Sequence, residues 1–413
     1  MTIEVTTLSN GLRVVSEYRR SVETASVGVW VNVGSRYEEP SLNGITHFLE
    51  HMLFKGTERR SARDIAYEIE RVGGHMNAYT TRDYTTYYAR VLKEDLPLAV
   101  DMLADIIQNS KLCDKEILRE QDVVIQEIGQ ALDTPDDLVF DLMQEVAYPD
   151  QALGRTILGQ PENVRSFNST TLKGFMQSHY TAQNMVLAAA GKVDHAELVA
   201  LAEKEFSSLP QGQDQGFEPA MYQGKSILDD KALEQSHVTL GFPAVGFHHD
   251  DYYALQVYSM ALGGGMSSRL FQEVRENRGL AYSIYCFANC FSDHGLFGVY
   301  GGTSPDLVPE MVQVTLDQMK DMSMNMTSEE LDVAKAQLKA GLLMAIEATT
   351  SRIEQIGRQI LFFDRVIPIE EMISNVESVD LAKVKSYAAD LIETGPVTSA
   401  IVGKVPVGYK LPL

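Results

Sequence analysis

Cysteine is scarce in this sequence: Cys113, Cys286 and Cys290 are the only three in 413 residues. Three thiols cannot build a disulfide framework. The spacing of the last two, in CFANC, matches neither a zinc knuckle nor a redox pair. Buried free thiols in a reducing compartment are the expectation. Basic residues are also in short supply, with 35 Lys and Arg against 57 Asp and Glu and a formal net charge of −22. That excludes a nucleic-acid partner, which needs a basic face. It suits a basic partner or substrate, although acidity for solubility alone explains it equally well. No apolar run approaches the length of a membrane span, so no membrane partner is expected. The first residues, MTIEVTTLSNGLRVVSE, lack the basic and then apolar pattern of a signal peptide. They alternate instead as a strand, an Asn10-Gly11 turn and a second strand. An initiating Met without a presequence points to the bacterial cytoplasm rather than the mitochondrial matrix.

What is present is an ordinary globular composition, 45% apolar and 22% charged, in a chain long enough for two or three domains. Short β-rich runs occur at 25–34, 84–91, 184–191, 237–245 and 295–303. Amphipathic helical patterns occupy 63–73, 94–109 and 114–133. Strands and helices are interspersed, which places the chain among the α+β or α/β folds. Trp30, the single tryptophan, falls in a strand and is expected in the core. Around 209–230 the sequence becomes polar and rich in Gly, Gln and Pro, the composition of a linker. The expected division is an N-terminal domain over 1–212, a linker over 213–230 and a C-terminal domain over 231–413. The segment that begins TASVGVWVNVG runs from strand through acidic turn to helix and ends on Gly56. The segment that begins SHVTLGFPAVG repeats that order, which a duplicated domain would explain.

Chemistry concentrates in HFLEH, residues 47–51. His47 and His51 are four apart, so on a helix they share a face one turn apart. Two imidazoles so placed can hold a divalent zinc, which in catalytic sites keeps three protein ligands and an open position. Glu50, three residues after His47, is placed as a general base for a water at that position. The order is the reverse of the common H-E-x-x-H peptidase motif. A satisfied polar patch on a helix is the competing reading. A third ligand is available further on. Glu120 and Glu127 lie seven apart on the helical pattern 114–133, flanking the stripe of Ile117, Val124 and Ile128. Carboxylates at the edge of a buried stripe need partners there. Glu127 is the candidate third ligand, and Glu120 the candidate that orients a histidine or a water. A solvated helix edge is the alternative. His75, just before a strand, is expected to pack, and His248 and His249 to be solvated.

Together these residues resemble the inverzincin peptidases, the family of pitrilysin, insulysin and mitochondrial processing peptidase. That pattern is HxxEH followed by a ligand glutamate about 76 residues on; Glu127 lies 76 positions after His51, and Glu120 matches the supporting glutamate. The resemblance covers nearly the whole chain and implies a zinc-dependent endopeptidase. It implies that the NAYTTRDYTTYYARV region binds a peptide as an added strand through the main chain of Asn77 and Ala78. GGGMSSRLFQEVRENRGLAYSIY is similar to the signature of the family's second domain. It implies that Arg275 and Tyr282 bind substrate and help to stabilise the oxyanion. A surface ion pair of Arg275 with Glu273 or Glu276 is the alternative there, and the glycines 263–265 could simply shape a turn.

The expected architecture is α+β, with two tandem homologous domains, each a mostly antiparallel sheet with helices packed on one side. At this length the chain resembles a half-size member such as the processing-peptidase β subunit and its bacterial relatives. It carries both the metal motif and the Arg275–Tyr282 signature, which implies a homodimer with those two side chains acting across it. Asp137 and Asp141 fall where that β subunit receives an arginine near the scissile bond, so with the net charge the expected substrates are basic, unfolded peptides. A solvated acidic turn is the alternative. Two further outcomes stay open: a catalytically inactive structural subunit of the same fold, and an active subunit that requires a different partner chain.

Overall fold

A computed structural model of the chain describes residues 2–212 and 216–410. The first sheet contains β1 (Thr2–Thr7), β2 (Arg13–Tyr18), β3 (Thr24–Val31), β4 (His75–Thr80), β5 (Thr85–Leu92) and β6 (Met185–Gly191). Its order is β1-β2-β6-β3-β5-β4. The second contains β7 (Ser226–Asp229), β8 (Ser236–Ala244), β9 (Ser283–Cys290), β10 (Gly295–Thr303) and β11 (Thr398–Val402), in the order β7-β11-β8-β10-β9. All five β-rich runs of the sequence are strands. The period of two sorts their side chains onto two faces. Ala25, Val27, Val29 and Val31 of β3 enter one core. Trp30 of β3 and Val186, Ala188 and Ala190 of β6 enter another.

The repeat expected from the sequence is present in the pairing. β2 runs parallel to β6, and β6-β3, β3-β5 and β5-β4 are antiparallel. β7 runs parallel to β11, and β11-β8, β8-β10 and β10-β9 are antiparallel. β3 is followed by helix Ile45–Leu53, and β8 by helix Tyr252–Gly263. β5 is followed by helices Leu96–Asn109 and Asp114–Leu132, and β10 by helices Val308–Asn325 and Ser328–Ala345. These helices supply the expected layer on one side of each sheet.

Each sheet carries one more helix on its other face, and here the compact units depart from the expected boundaries. One unit comprises Met1–Ile128, Thr156–Glu218 and Met344–Ile367; the other takes Gly129–Arg155, Pro219–Leu343 and Pro368–Leu413. Helix Thr349–Phe363 therefore packs on the first sheet, setting Ile353, Ile356 and Ile360 among Val15, Trp30, Val186 and Ala188. Helix Pro135–Ala147 packs on the second, setting Leu138, Val139 and Met143 among Leu296, Ala400 and Val402. Of the linker expected at 213–230, residues 213–215 lie outside the described residues, and Ser226–Asp229 is strand β7. A four-residue strand paired on one side is too short to show alternation against polar neighbours.

Two contacts show how the first exchanged helix is seated. Glu17, fully buried on β2, accepts from Arg19 Nε at 2.7 Å and Arg352 Nε at 2.6 Å, so its charge is paired inside the protein. Gly357 lies against Trp30, where an added Cβ would come within 2.5 Å of the indole. The three cysteines are free as expected, but Cys113 is exposed and Cys286 and Cys290 are half-buried. His75 is exposed on β4 rather than packed, because it shares a face with the exposed Asn77. His248 and His249 are solvated as expected. Among the described residues, no helix is long and apolar enough to cross a membrane. Replacing Gly357→Val should overpack this interface and destabilise the protein by about 1–3 kcal/mol. Urea unfolding followed by the emission of the single tryptophan measures this; an unchanged midpoint would refute the contact.

Candidate metal centre

The helix Ile45–Leu53 begins at Gly44, whose φ of 95° lies in the left-handed region. A Cβ there would also meet Leu158 O at 2.7 Å. No side chain of the N-cap residue closes this helix end. The buried Glu38 carboxylate does so from outside, accepting from Gly44 N at 2.8 Å, Thr46 N at 2.9 Å and Asn43 Nδ2 at 3.0 Å. A carboxylate at a helix N-terminus also meets the favourable end of the dipole. Burial pushes its pKa up to about 7, opposed by those N–H donors. Ile45, Phe48, Leu49, Met52 and Leu53 are buried and seat the helix in the first core.

This seating sets His47 and His51 side by side, with ring centroids 4.6 Å apart. Glu127, on helix Asp114–Leu132, faces both: its Oε1 is 3.7 Å from His47 Nε2 and its Oε2 is 3.4 Å from His51 Nε2. One donor atom from each of the three lies within 4.8 Å of the others, the only such group of metal-ligating side chains among the described residues. A directly bonded pair would close to about 2.8 Å. Donors roughly 2.0–2.2 Å from a shared zinc stand about 3.3 Å apart, close to these separations. Burial and the neighbouring His51 hold the His47 pKa down at about 3, so this imidazole stays neutral, as a ligand must. His47 Nδ1 is buried without a hydrogen-bond partner, so packing alone orients that ring. The Glu127 side chain is 42% exposed against 9% for His47, leaving the cluster open on one side. Nitrogen and oxygen donors with an open side fit a catalytic zinc.

Glu120 lies two turns before Glu127 and is buried. It accepts from His51 Nδ1 at 2.8 Å and from Lys55 Nζ at 2.7 Å. Burial raises its pKa, but these two donors outweigh that and hold it below the usual range. With Nδ1 bonded to Glu120, His51 turns its Nε2 toward Glu127. Glu50 accepts from Thr80 Oγ1 at 2.7 Å across the gap to β4. Burial raises its pKa, opposed by the Thr80 hydroxyl and by His51.

Asn77 and Ala78 lie on β4, which pairs with β5 alone among the described residues and so forms the sheet edge. The Ala78 N–H donates to Asn77 Oδ1 at 2.9 Å. The second unit holds Arg275 and Tyr282 together, the Arg275 guanidinium carbon lying 5.0 Å from the Tyr282 ring centroid and 4.6 Å from that of Phe271. Arg275 also lies 3.6 Å from Glu276, and Tyr282 is 76% exposed. Asp137 and Asp141 are one turn apart on helix Pro135–Ala147, with Asp137 exposed and Asp141 half-buried. Gly263 closes helix Tyr252–Gly263, where a Cβ would lie 2.4 Å from Cys286 Sγ. Sequence reasoning missed Glu38, Lys55 and Thr80. Lys55 had a signal, sitting one turn beyond His51. Glu38 and Thr80 had none, because their partners are brought to them by the fold.

The Glu38 carboxyl gives a pH dependence of defined sign. Its folded pKa of about 7 lies above the ordinary 4.5, so the folded state holds the extra proton between these values. The stability it contributes is present at low pH and lost as pH rises through 7. Against Glu38→Gln, the wild type should lose up to about 3 kcal/mol of relative stability between pH 5 and pH 8. Urea midpoints of both proteins measure this, and a constant difference would refute it.

The family model described as "Insulinase (Peptidase family M16)" matches residues 13–161, and that described as "Peptidase M16 inactive domain" matches residues 166–338. An uncharacterized zinc protease of Streptomyces coelicolor is 39% identical across 97% of this chain and 89% of its own. One from Rickettsia felis is 40% identical across 97% of both. The uncharacterized zinc protease YmxG of Bacillus subtilis is 39% identical across 93% of this chain and 94% of its own. In structure, a protease from Helicobacter pylori superposes with a TM-score of 0.90 at 23% identity, covering 97% of this chain and 99% of that one. A peptidase M16 inactive domain from Pseudomonas fluorescens superposes with a TM-score of 0.91 at 18% identity across the whole of both chains, and these two likenesses concern the fold. Matched along most of its length by both domain models and by relatives of near-equal extent, the chain belongs to peptidase family M16 as a half-size member.

Proposed function

We propose that the chain is a zinc-dependent endopeptidase acting on unfolded, basic peptides. The observation that carries this reading is the convergence of His47, His51 and Glu127, with the Glu50 carboxylate on the same helix. Relatives named zinc proteases, at 39–40% identity over nearly the full chain, support it. His47, His51 and Glu127 would hold the metal, and Glu120 would orient His51. Zinc held there supplies Lewis acidity, polarising a peptide carbonyl and lowering the pKa of water to roughly 7. Glu50 takes the proton from the attacking water and passes it to the leaving amine. The open edge of β4 would receive the peptide as an added strand, with a substrate carbonyl replacing Asn77 Oδ1 at the Ala78 N–H. Arg275 and Tyr282 would bind substrate and stabilise the developing oxyanion. Strand addition needs an extended segment, so folded proteins should be poor substrates. Bacterial relatives fit a cytoplasmic setting.

The rival is a catalytically inactive subunit, favoured by the "inactive domain" description of the model matching 166–338. That stretch holds no metal-ligating group among the described residues, whereas the group in the first unit is complete. The description therefore concerns a stretch that lies outside the group of His47, His51 and Glu127.

Bound zinc and turnover of a fluorogenic basic peptide separate the readings. Glu50→Gln should keep zinc and lose about 10²–10⁴-fold in kcat, while His51→Ala should lose both. Zinc-loaded Glu50→Gln with full activity would refute the base assignment, and wild type inactive regardless of chelator would favour the inactive subunit. For specificity, peptides with Arg or Ala just before the cleaved bond are compared in wild type and Asp141→Asn. The Arg preference should fall about tenfold in the variant, the worth of one charge-assisted bond; equal ratios would refute the acidic subsite.

A further inference from the structure

We infer that Thr80 is a positioning residue for the Glu50 carboxylate, held in place by a hairpin tip that Glu354 anchors from the opposite face of the sheet. The inference rests on the proposed role of Glu50 as base. Thr80 ends β4, and its hydroxyl donates to Glu50 Oε2 at 2.7 Å. The hydroxyl thereby engages one carboxylate oxygen, and a backbone hydrogen bond from the same residue adds to its hold on the Glu50 side chain. A base held in one orientation needs no rearrangement during the reaction.

The tip that carries Thr80 is fixed from several directions. Thr81 N donates to Tyr84 O at 2.8 Å, and Tyr84 N donates to Thr81 Oγ1 at 3.0 Å, closing the turn. Ser35 N and Arg36 N donate to the carbonyls of Thr81 and Arg82 at 3.1 and 3.0 Å. Arg36 pairs with Asp83 at 3.0 Å in the interior. Consecutive strand residues point to opposite faces, so Tyr79 projects away from Glu50. Its hydroxyl donates to Glu354, as does the Tyr84 hydroxyl at 2.7 Å, so one carboxylate joins the last turn-flanking residues of the hairpin. Glu354 sits on helix Thr349–Phe363, which packs against β3 and β6 through Ile353, Ile356 and Ile360. A residue 304 positions after Glu50 in the chain is thus linked to it through Tyr79 and Thr80.

The test uses the full-length zinc enzyme and a fluorogenic basic peptide. Thr80→Val keeps the shape and removes the hydroxyl; Thr80→Ser keeps the hydroxyl. Thr80→Val should lower kcat about tenfold, with KM and bound zinc within twofold of wild type, and Thr80→Ser should recover most of the loss. Tyr79→Phe and Glu354→Gln should each lower kcat about threefold, and neither should lower it further in the Thr80→Val background if they act through Thr80. Wild-type kcat in Thr80→Val, or equal losses in Val and Ser, would overturn the positioning role. Fully additive losses would overturn the link to Glu354. Turnover retained by zinc-loaded Glu50→Gln would instead overturn the base assignment, and with it the inference.

Discussion

The hydrogen bond from His51 Nδ1 to Glu120 is the constraint on which the candidate metal centre depends. A neutral imidazole offers a lone pair at one nitrogen only, and this bond decides which. It turns Nε2 toward Glu127 and couples two helices that are far apart in sequence. Lys55 on the other oxygen of Glu120 keeps that buried carboxylate charged, and so keeps it an acceptor. His47 has no such partner on Nδ1 and is held by burial instead. One imidazole is thus oriented by a directed bond and the other by packing.

The duplication shows what the chemistry displaced. Helix Tyr252–Gly263 follows β8 as helix Ile45–Leu53 follows β3, yet it buries Ala254, Leu255, Val257, Tyr258 and Leu262 and carries no histidine. In the first repeat, three titratable groups occupy one helix of nine residues. The structure accommodates them with a remote carboxylate at the helix start, a buried glutamate behind one ring and a threonine against Glu50. The apolar helix of the second repeat contains none of the groups those partners would serve.

Much of this was legible in the sequence because it is local or periodic. His47, Glu50 and His51 are read from helical spacing, and the five β-rich runs from composition and alternation. Glu127 needed the family spacing, since amphipathicity marks an edge without saying what lies opposite. What escaped depends on tertiary placement. Glu38 reads as an acid in a turn, and Thr80 as a polar residue at a strand end, until the fold supplies their partners. Helices 135–147 and 349–363 were not among the helical patterns read from the sequence, and an apolar stripe would not say which sheet covers it. The expected boundary near 212–230 therefore missed the exchange, and β7 was hidden in a polar stretch.

That exchange has a consequence for the order of synthesis. The last strand of the first sheet ends at Gly191, but the helix that covers its outer face begins at Thr349, 158 positions later. At about 5–20 residues per second, a ribosome needs roughly eight to thirty seconds to cross that interval. Through it, Trp30, Val186 and Ala188 have no covering helix, and Glu354 has not reached Tyr79. His47, His51 and Glu127 can all be translated while the sheet that supports them is still half-clad. A nascent chain would thus carry His47, Glu50, His51 and Glu127 well before it carries a finished domain, which separates making this cluster from completing the scaffold around it.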